Sequence, residues 1–186
     1  MADHLKFYIN GEWVNPLGSE TIEVINPSDE SVIGSIAAGT KEDIDLAVGA
    51  AKEAFKTFGF SSREERMELI ENIITEYEKR SEELAKTISE EMGAPLWLSN
   101  VAQVTSGLSH FKDTLEVLKT FEFEGVENNY LVRKEPIGVI GMITPWNWPM
   151  NQMCTKVASA IASGCTIGVS NISNILKVNN SKDYRF

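Results

Sequence analysis

Short alternations of hydrophobic and polar residues occupy the first 37 positions of the chain, and they predict small β-strands. Between Lys6 and Val14, two β-prone runs flank Asn10-Gly11. This pair favours the type I′ turn of a hairpin, because both central residues of that turn need positive φ. Residues 21–25 and 31–37 predict two further strands. The amino end is therefore predicted to be a small surface sheet.

The hydrophobic period changes to that of helices between residues 40 and 93. Thr40 and Ser62 are each followed three residues later by an acid, which is the capping-box pattern of a helix start. A third helix is predicted from Ser81 and closes at Gly93, which suits a left-handed C-cap. The acids and bases that alternate along these helices predict solvated faces with i,i+4 ion pairs.

An apolar stripe with steps of four and three residues begins after Pro95 and predicts the longest helix of the chain. Its members are Trp97, Val101, Val104, Leu108, Phe111, Leu115 and Leu118. Such a stripe suits either a coiled-coil or partner helix, or a core helix that lies against a neighbouring element. We favour the core helix. Strand-forming residues then follow, with a turn predicted over residues 125–129 and a strand from Tyr130 to Glu135.

Residues 137–167 carry the pattern of one βαβ unit of a parallel sheet. The run Val139–Ile143 is apolar and β-branched, and Thr144-Pro145 stops it because proline cannot donate to a strand ladder. Pro149 suits the first turn of the helix that follows. Gly164 is the predicted C-cap of that helix, and another apolar run begins directly after it.

Asn147 lies where a βαβ unit carries chemistry, because ligands of open α/β sheets bind at the carboxyl ends of strands. It also precedes a predicted helix N-terminus, which favours anions. Its amide is a neutral donor that suits a developing oxyanion, since it does not titrate. The alternative is that Asn147 only caps the helix, because asparagine is a favoured cap.

Composition and charge narrow the class of protein. A formal net charge of −10 argues against nucleic acid or an anionic membrane surface as partner, and no apolar run approaches the ~18 residues of a membrane span. The first residues lack a signal-peptide pattern, so we expect a cytoplasmic protein. Two scattered histidines predict no metal site, and Cys154 and Cys165 are interpreted as small core residues.

The sequence Ile-Thr-Pro-Trp-Asn-Trp-Pro from Ile143 to Pro149, together with Lys156 and the segment Ala162–Thr166, resembles the aldehyde dehydrogenase superfamily. Two tryptophans and two prolines lie within five residues of this motif, which makes it specific. The resemblance runs from about Phe7 to about Ile167. It implies an α/β fold that contains the amino-terminal part of the family's fold: small β-hairpins, helices and the start of a Rossmann-like parallel sheet, incomplete in this chain.

The resemblance also implies a domain division. Residues 1–120 would be the amino-terminal part of the cofactor-binding domain, residues 121–136 a strand of the family's oligomerisation arm, and residues 137–167 the first βαβ unit of the NAD(P)-binding sheet. Residues 168–186 would be a divergent tail that is poorly ordered. In the family the arm's other strand comes from the distant carboxyl end, so we expect the strand here to be an unpaired edge in a chain whose family forms homo-oligomers.

By resemblance, the reaction is oxidation of an aldehyde to a carboxylic acid with NAD or NADP, through a cysteine thiohemiacetal. Asn147 would be the oxyanion donor, and Lys156 would position groups or relay protons, with a surface lysine as the alternative. The residues that would line the nicotinamide and ribose side of the cofactor are Ile143, Thr144, Pro145 and Trp146. For Ile143 and Pro145, plain packing at the strand end is the alternative interpretation.

Other parts of the family's site have no counterpart in the 186 residues. Neither cysteine fits the nucleophile, and no segment matches the general-base glutamate. Ser170 and Ser173 stand where the family has a lysine and a glutamate that hold the adenosine ribose. We therefore expect no catalysis and at best weak NAD(P) binding from this chain alone. The alternative function is a non-catalytic binding or assembly module.

Overall fold

Residues 2–171 are described by the computed structural model of the chain. At the amino end, strands β1, β4 and β5 form a three-stranded sheet in the order β1-β5-β4, with β5 parallel to β1 and antiparallel to β4. Strands β2 and β3 form a separate hairpin. The bounds are β1 Ala2–His4, β2 Phe7–Ile9, β3 Glu12–Val14, β4 Thr21–Ile25 and β5 Val32–Ala37.

The hairpin confirms the prediction made from its turn residues. Asn10 has φ 54° and Gly11 has φ 81°, so both central residues adopt the left-handed region that a type I′ turn requires. Tyr8 and Trp13 face each other across the two strands with ring centroids 5.3 Å apart, within the range of a stabilising aromatic pair.

Three helices follow, each starting where the sequence predicts: α1 Lys41–Phe58, α2 Arg63–Lys79 and α3 Ser81–Met92. The capping box of α1 is complete, because Thr40 Oγ1 accepts the Asp43 N–H at 3.2 Å and the Asp43 carboxylate accepts the Thr40 N–H at 2.9 Å. The corresponding box at Ser62 begins α2. Gly93, with φ 76°, ends α3 as a left-handed C-cap.

The longest helix corrects the predicted continuous stripe. It begins as α4 (Leu96–Leu98), passes through a π-helical segment (Ser99–Val104) and continues as α5 (Thr105–Thr120). In a π-helix the hydrogen bonds close from i to i+5, so the helical phase rotates relative to an α-helix. Trp97 and Val101 consequently point outward, with 67% and 64% of their surface exposed. Two polar residues, Ser99 and Gln103, take the buried positions instead, with 0% and 2% exposed.

Strands β6 (Glu124–Glu127) and β7 (Tyr130–Arg133) form an antiparallel hairpin. The predicted turn over residues 125–129 is too long, and β6 is a partner of β7 that we did not predict; β7 is nevertheless an edge strand, because the sheet has two strands within residues 2–171. The turn is tighter, because Asn128 adopts a left-handed φ of 57° and leaves Gly125 paired with Val132. One edge of β7 is therefore satisfied by its own neighbour in the chain.

The predicted βαβ unit is confirmed. Strand β8 (Val139–Thr144) and strand β9 (Thr166–Asn171) are parallel, and helix α6 (Pro149–Ala162) connects them. Gly164 has φ 80° just beyond the helix end. β9 continues through Asn171, whereas the sequence predicted a tail from residue 168; the apolar and small residues there still pair with β8. The predictions for residues 172–186 lie outside the described residues.

The main hydrophobic core lies where α2 and the long helix meet α6, and it extends to α3, which packs against the π-helical segment of the long helix. Its buried members are Ile70, Tyr77, Ala85, Ile88, Ala94, Val104, Phe111, Leu115, Leu118, Cys154, Ala158 and Ile161. A smaller cluster, formed by Met142, Ala160 and Cys165, joins α6 to the β8–β9 sheet. Helix α6 therefore fixes the sheet against the helices. No helix among residues 2–171 is long and apolar enough to cross a membrane.

Candidate functional site

The end of β8 and the loop that joins it to α6 carry five of the six predicted site residues. Thr144, the last residue of β8, is buried, and Pro145 beside it is half-buried. Trp146 is 65% exposed and Asn147 is exposed as well. Pro149 occupies the first turn of α6, where its missing N–H costs no helical hydrogen bond. The loop thus presents an indole and an amide to solvent from the carboxyl end of a parallel strand.

The alternative role of Asn147 as a helix cap has no support in the geometry. The N-cap residue of α6 is Trp148, and no side-chain cap hydrogen bond is formed there. Within residues 2–171 the side-chain amide of Asn147 has no hydrogen-bond partner. Its backbone carbonyl oxygen does have one, the Nε2 of Gln103, at 3.5 Å. The Asn147 amide is therefore free to donate to a ligand.

Lys156 lies two turns into α6 and is half-buried. Its Nζ donates to the backbone oxygen of Gln152 at 3.1 Å and to the Oε1 of the same residue at 3.3 Å. Lys156 and Ile143 line a common groove of about 320 Å³ beside β8. The other lining residues are Ile140, Gly141, Met142, Ser159, Ala160 and Ser163. The groove brings Lys156 and Ile143 together, whereas Asn147 and Trp146 lie outside its lining.

Arg66 supports the carboxyl end of α6, a role that no sequence pattern indicates. We interpreted the charges of α2 as solvated, but Arg66 is buried. Its Nη1 donates to the Ala162 oxygen at 3.3 Å, and its Nη2 donates to the Ser61 oxygen at 2.7 Å. A Cβ at Gly164 would meet this guanidinium at 2.6 Å. The end of α6 is thus fixed to the start of α2.

Tyr77 supports the other side of α6. Its hydroxyl donates to the Val104 oxygen at 2.8 Å, which ties α2 to the π-helical segment. Gly107 lets the helices approach closely here, because a Cβ at that position would contact the Tyr77 hydroxyl and would lie 3.2 Å from Cys154 Sγ. A glycine in a helix interior is unfavourable and so hints at close packing, but no sequence signal identifies Tyr77 as the group that approaches Gly107.

Both cysteines are core residues, as predicted. Cys154 is 1% exposed and Cys165 is 3% exposed. Burial raises the pKa of the Cys154 thiol to about 12, against a smaller opposing effect of the hydrogen bond with Tyr77. A nucleophilic cysteine must be both accessible and ionisable, and Cys154 is neither.

A known protein family shares strand β8, the loop that carries Asn147 and helix α6. A sequence model of the aldehyde dehydrogenase family matches residues 13–173, and the chain belongs to that family. The match continues past Ile167, where we expected the resemblance to stop. The 3-succinoylsemialdehyde-pyridine dehydrogenase of a Pseudomonas species is 46% identical over 168 residues. Those residues are 90% of this chain and 35% of that relative, so the chain spans about a third of its length.

Solved structures agree with the family assignment. The aldehyde dehydrogenase of Bartonella henselae superposes with a TM-score of 0.90 at 40% identity, covering 97% of this chain and 40% of that one. Aldehyde dehydrogenase C of Pseudomonas syringae, solved with NAD+ and octanal, gives a TM-score of 0.87 at 43% identity. That superposition covers 88% of this chain and 34% of the other. The fold is therefore the amino-terminal part of the aldehyde dehydrogenase fold, an incomplete α/β unit.

Proposed function

We propose that this chain forms one wall of the active site of an NAD(P)-dependent aldehyde dehydrogenase. The observation that carries the proposal is the free side-chain amide of Asn147, exposed at the carboxyl end of β8 in a chain of this family. A donor held there can stabilise the oxyanion that forms when a thiolate attacks an aldehyde, an interaction worth roughly 3 kcal/mol of barrier by analogy with protease oxyanion holes.

Lys156 has a separate role in this proposal. Its ammonium group is held by Gln152 beside the groove that Ile143 also lines. From there it orients polar groups or passes a proton during the reaction. A lysine that only served solubility would extend into solvent, whereas this one is half-buried and bonded back to its own helix.

The residues present fit one side of a dinucleotide. Trp146 and Ile143 expose apolar surface at the carboxyl end of a parallel strand, and the flat nicotinamide ring could pack against this surface. Thr144-Pro145 fixes the backbone between the two residues. When bound, NAD or NADP would supply the acceptor for the hydride that leaves the substrate. The contribution of the chain is to orient that ring with Ile143, Thr144, Pro145 and Trp146 and to keep water from its face.

We further propose that the 186-residue chain alone does not oxidise aldehydes. Cys154 and Cys165 are the cysteines of the sequence, and both are buried in the core. Because the thiolate is the nucleophile in this chemistry, a chain without an accessible thiol can supply the oxyanion donor but cannot start the reaction. The attacking sulfur would have to come from polypeptide beyond these residues.

Two measurements on the purified chain test these proposals. In the first, NAD+ is titrated while tryptophan fluorescence is recorded, and we expect weak but saturable quenching that Trp146→Phe removes. Trp97→Phe is the matched control, because Trp97 is equally exposed but lies on α4. Absence of quenching in the unaltered chain, or quenching that survives Trp146→Phe, contradicts the cofactor role.

In the second measurement, NADH formation is followed with a panel of aldehydes. We expect no turnover above the buffer rate. Robust turnover that disappears in Asn147→Ala would refute the proposal of inactivity while supporting the role of the asparagine.

A second candidate function is assembly, and exposed apolar residues of one hairpin favour it. Val126, Tyr130 and Leu131 on β6 and β7 are between 65% and 74% exposed. In the family this segment belongs to an arm used in subunit association, and we propose the same use here. Light scattering should give a mass above that of the monomer, and Leu131→Asp should reduce it. Leu46→Asp on α1, also an exposed leucine, is the control; a monomeric unaltered chain would exclude assembly.

A further inference from the structure

Gln103 is a buried polar residue whose side chain is only partly satisfied. Its Nε2 reaches the backbone oxygen of Asn147 at 3.5 Å, whereas its Oε1 has no partner within residues 2–171. An unpaired buried acceptor is costly, so natural proteins keep few of them, and those that persist often serve a function. Gln103 contacts the loop between β8 and α6 at Asn147 itself.

The π-helical segment explains how Gln103 comes to lie under that loop. A regular α-helix would continue the stripe that includes Trp97 and Val101 and would turn them toward the core. The i→i+5 segment instead rotates Gln103 inward. Short π-helical segments inside α-helices occur frequently at functional sites, because they re-aim single side chains.

Side chains satisfy backbone oxygens of the segment. Tyr77 Oη donates to the Val104 oxygen at 2.8 Å, Thr105 Oγ1 to the Asn100 oxygen at 3.1 Å, and Ser106 Oγ to the Gln103 oxygen at 3.0 Å. Backbone groups displaced from regular helical bonding are stable only when such partners are present. The π-helical geometry, and with it the direction of Gln103, is thus held from several sides.

We propose that Gln103 is a positioning residue for Asn147. By donating to the Asn147 carbonyl, it limits rotation of the loop peptide and so sets the direction of the asparagine amide. The donor–acceptor distance of 3.5 Å is at the long end for a hydrogen bond. This inference rests on the proposed oxyanion role of Asn147, through which Gln103 would act.

The experiment compares isosteric variants in the ¹⁵N-labelled 186-residue chain without cofactor or aldehyde. Gln103→Met keeps the volume of the side chain but removes the donor and the unpaired acceptor. Ser99→Ala is the matched control, because Ser99 Oγ is also buried and unpaired within residues 2–171, on the same π-helical segment. The readouts are the Asn147 side-chain amide signals, amide hydrogen exchange at Gln152, which bonds to the Trp148 oxygen beside Asn147, and the thermal midpoint.

We expect Gln103→Met to keep its thermal midpoint, to shift the Asn147 amide signals and to raise Gln152 exchange about fivefold, the effect of losing one neutral hydrogen bond. Ser99→Ala should leave both loop readouts unchanged. Unchanged loop signals in Gln103→Met, or equal changes in Ser99→Ala, would overturn the proposal. If Gln103→Met does not fold, Gln103→Asn gives the same comparison with an amide too short to reach. The cofactor titration does not enter these readouts, so the two proposals can fail separately.

Discussion

Gly107 lies where the long helix packs against α2 and α6, and its substitution by alanine tests the packing that supports the site. A Cβ there would contact the Tyr77 hydroxyl and would lie 3.0 Å from Met150 Cβ and 3.2 Å from Cys154 Sγ. The Tyr77 ring is buried and its hydroxyl is bonded to the Val104 oxygen, so it cannot move aside without losing that bond.

The magnitude follows from three opposing contributions. Alanine is a better helix former than glycine by about 1 kcal/mol, which favours the variant. Overpacking of a well-filled core costs about 1–3 kcal/mol. Displacing the Tyr77 hydroxyl leaves buried polar groups unpaired at a further cost of about 1–3 kcal/mol. We therefore expect Gly107→Ala to lower the free energy of unfolding by about 3 kcal/mol, which for a chain of this size is a fall in thermal midpoint of about 6–12 °C.

Thermal unfolding followed by circular dichroism measures this fall. Gly49→Ala is the matched control, because Gly49 lies within α1 and a Cβ there would meet no atom within 4 Å. Its midpoint should rise by about 2–4 °C, the effect of helix propensity alone. A Gly107→Ala chain that melts at or above the unaltered midpoint would refute the packing argument.

A double-mutant cycle separates the two costs. Tyr77→Phe alone should destabilise the chain by about 1–3 kcal/mol, since it leaves the Val104 oxygen without that donor. In the Gly107→Ala background the same change should cost clearly less, because the bond is already displaced and removal of the hydroxyl makes room for the new methyl group. Additive effects would show that the hydroxyl is not the atom that Gly107 accommodates.

Three further predictions concern single side chains. Burial raises the pKa of the Asp43 carboxyl, but hydrogen bonds, led by the one from the Thr40 N–H, outweigh this effect and hold the pKa below 3.8. Because the pKa is lower in the folded chain, the ionised carboxylate stabilises the fold above the unfolded pKa of about 3.9. This stabilisation is lost as the pH falls through the folded pKa. The midpoint difference between the unaltered chain and Asp43→Asn should therefore shrink below about pH 4 in melts across pH, and a constant difference would contradict this. Cys154 should not react with a thiol reagent at pH 8 until denaturant unfolds the chain. Labelling of Cys154 before unfolding would show that the thiol is accessible in the folded chain. Gly164→Ala should lower the free energy of unfolding by about 1–2 kcal/mol because the residue has a positive φ, and displacement of Arg66 should add to this loss. An unchanged denaturation midpoint would be inconsistent with the contact between residue 164 and Arg66.

Local chemistry predicts much of the fold. The starts of α1 and α2 follow from Thr40 and Ser62, whose caps depend only on residues three positions away. The hairpin turn follows from Asn10-Gly11, and the βαβ unit follows from an apolar run, a proline stop and a glycine end. Each of these signals acts within one turn or one strand, so the sequence carries it without reference to the rest of the fold.

The predictions from sequence fail where residues far apart in the chain determine the local structure. The phase of the long helix depends on donors such as Tyr77, 27 residues from the oxygen it bonds. A periodicity count therefore assigned Trp97 to the core and overlooked Gln103. The charge pattern of α2 predicts a surface position for Arg66, because its partner, the Ala162 oxygen, lies 96 residues away and leaves no local signal. The loop residues of the candidate site were found from their motif, but the groups that hold the loop were not.

The long-range bonds of the βαβ unit also have a consequence for the order of folding. Thr166 Oγ1 donates to the Ala51 oxygen across 115 residues, and Arg66 reaches the end of α6 across 96. Both bonds need helices that are synthesised in the first half of the chain. Helices gather through local contacts faster than distant strands pair. We therefore expect the amide protons of α1 to α3 to become protected from exchange early in pulse-labelled refolding. The loop between β8 and α6, which carries Asn147, should form in the last step.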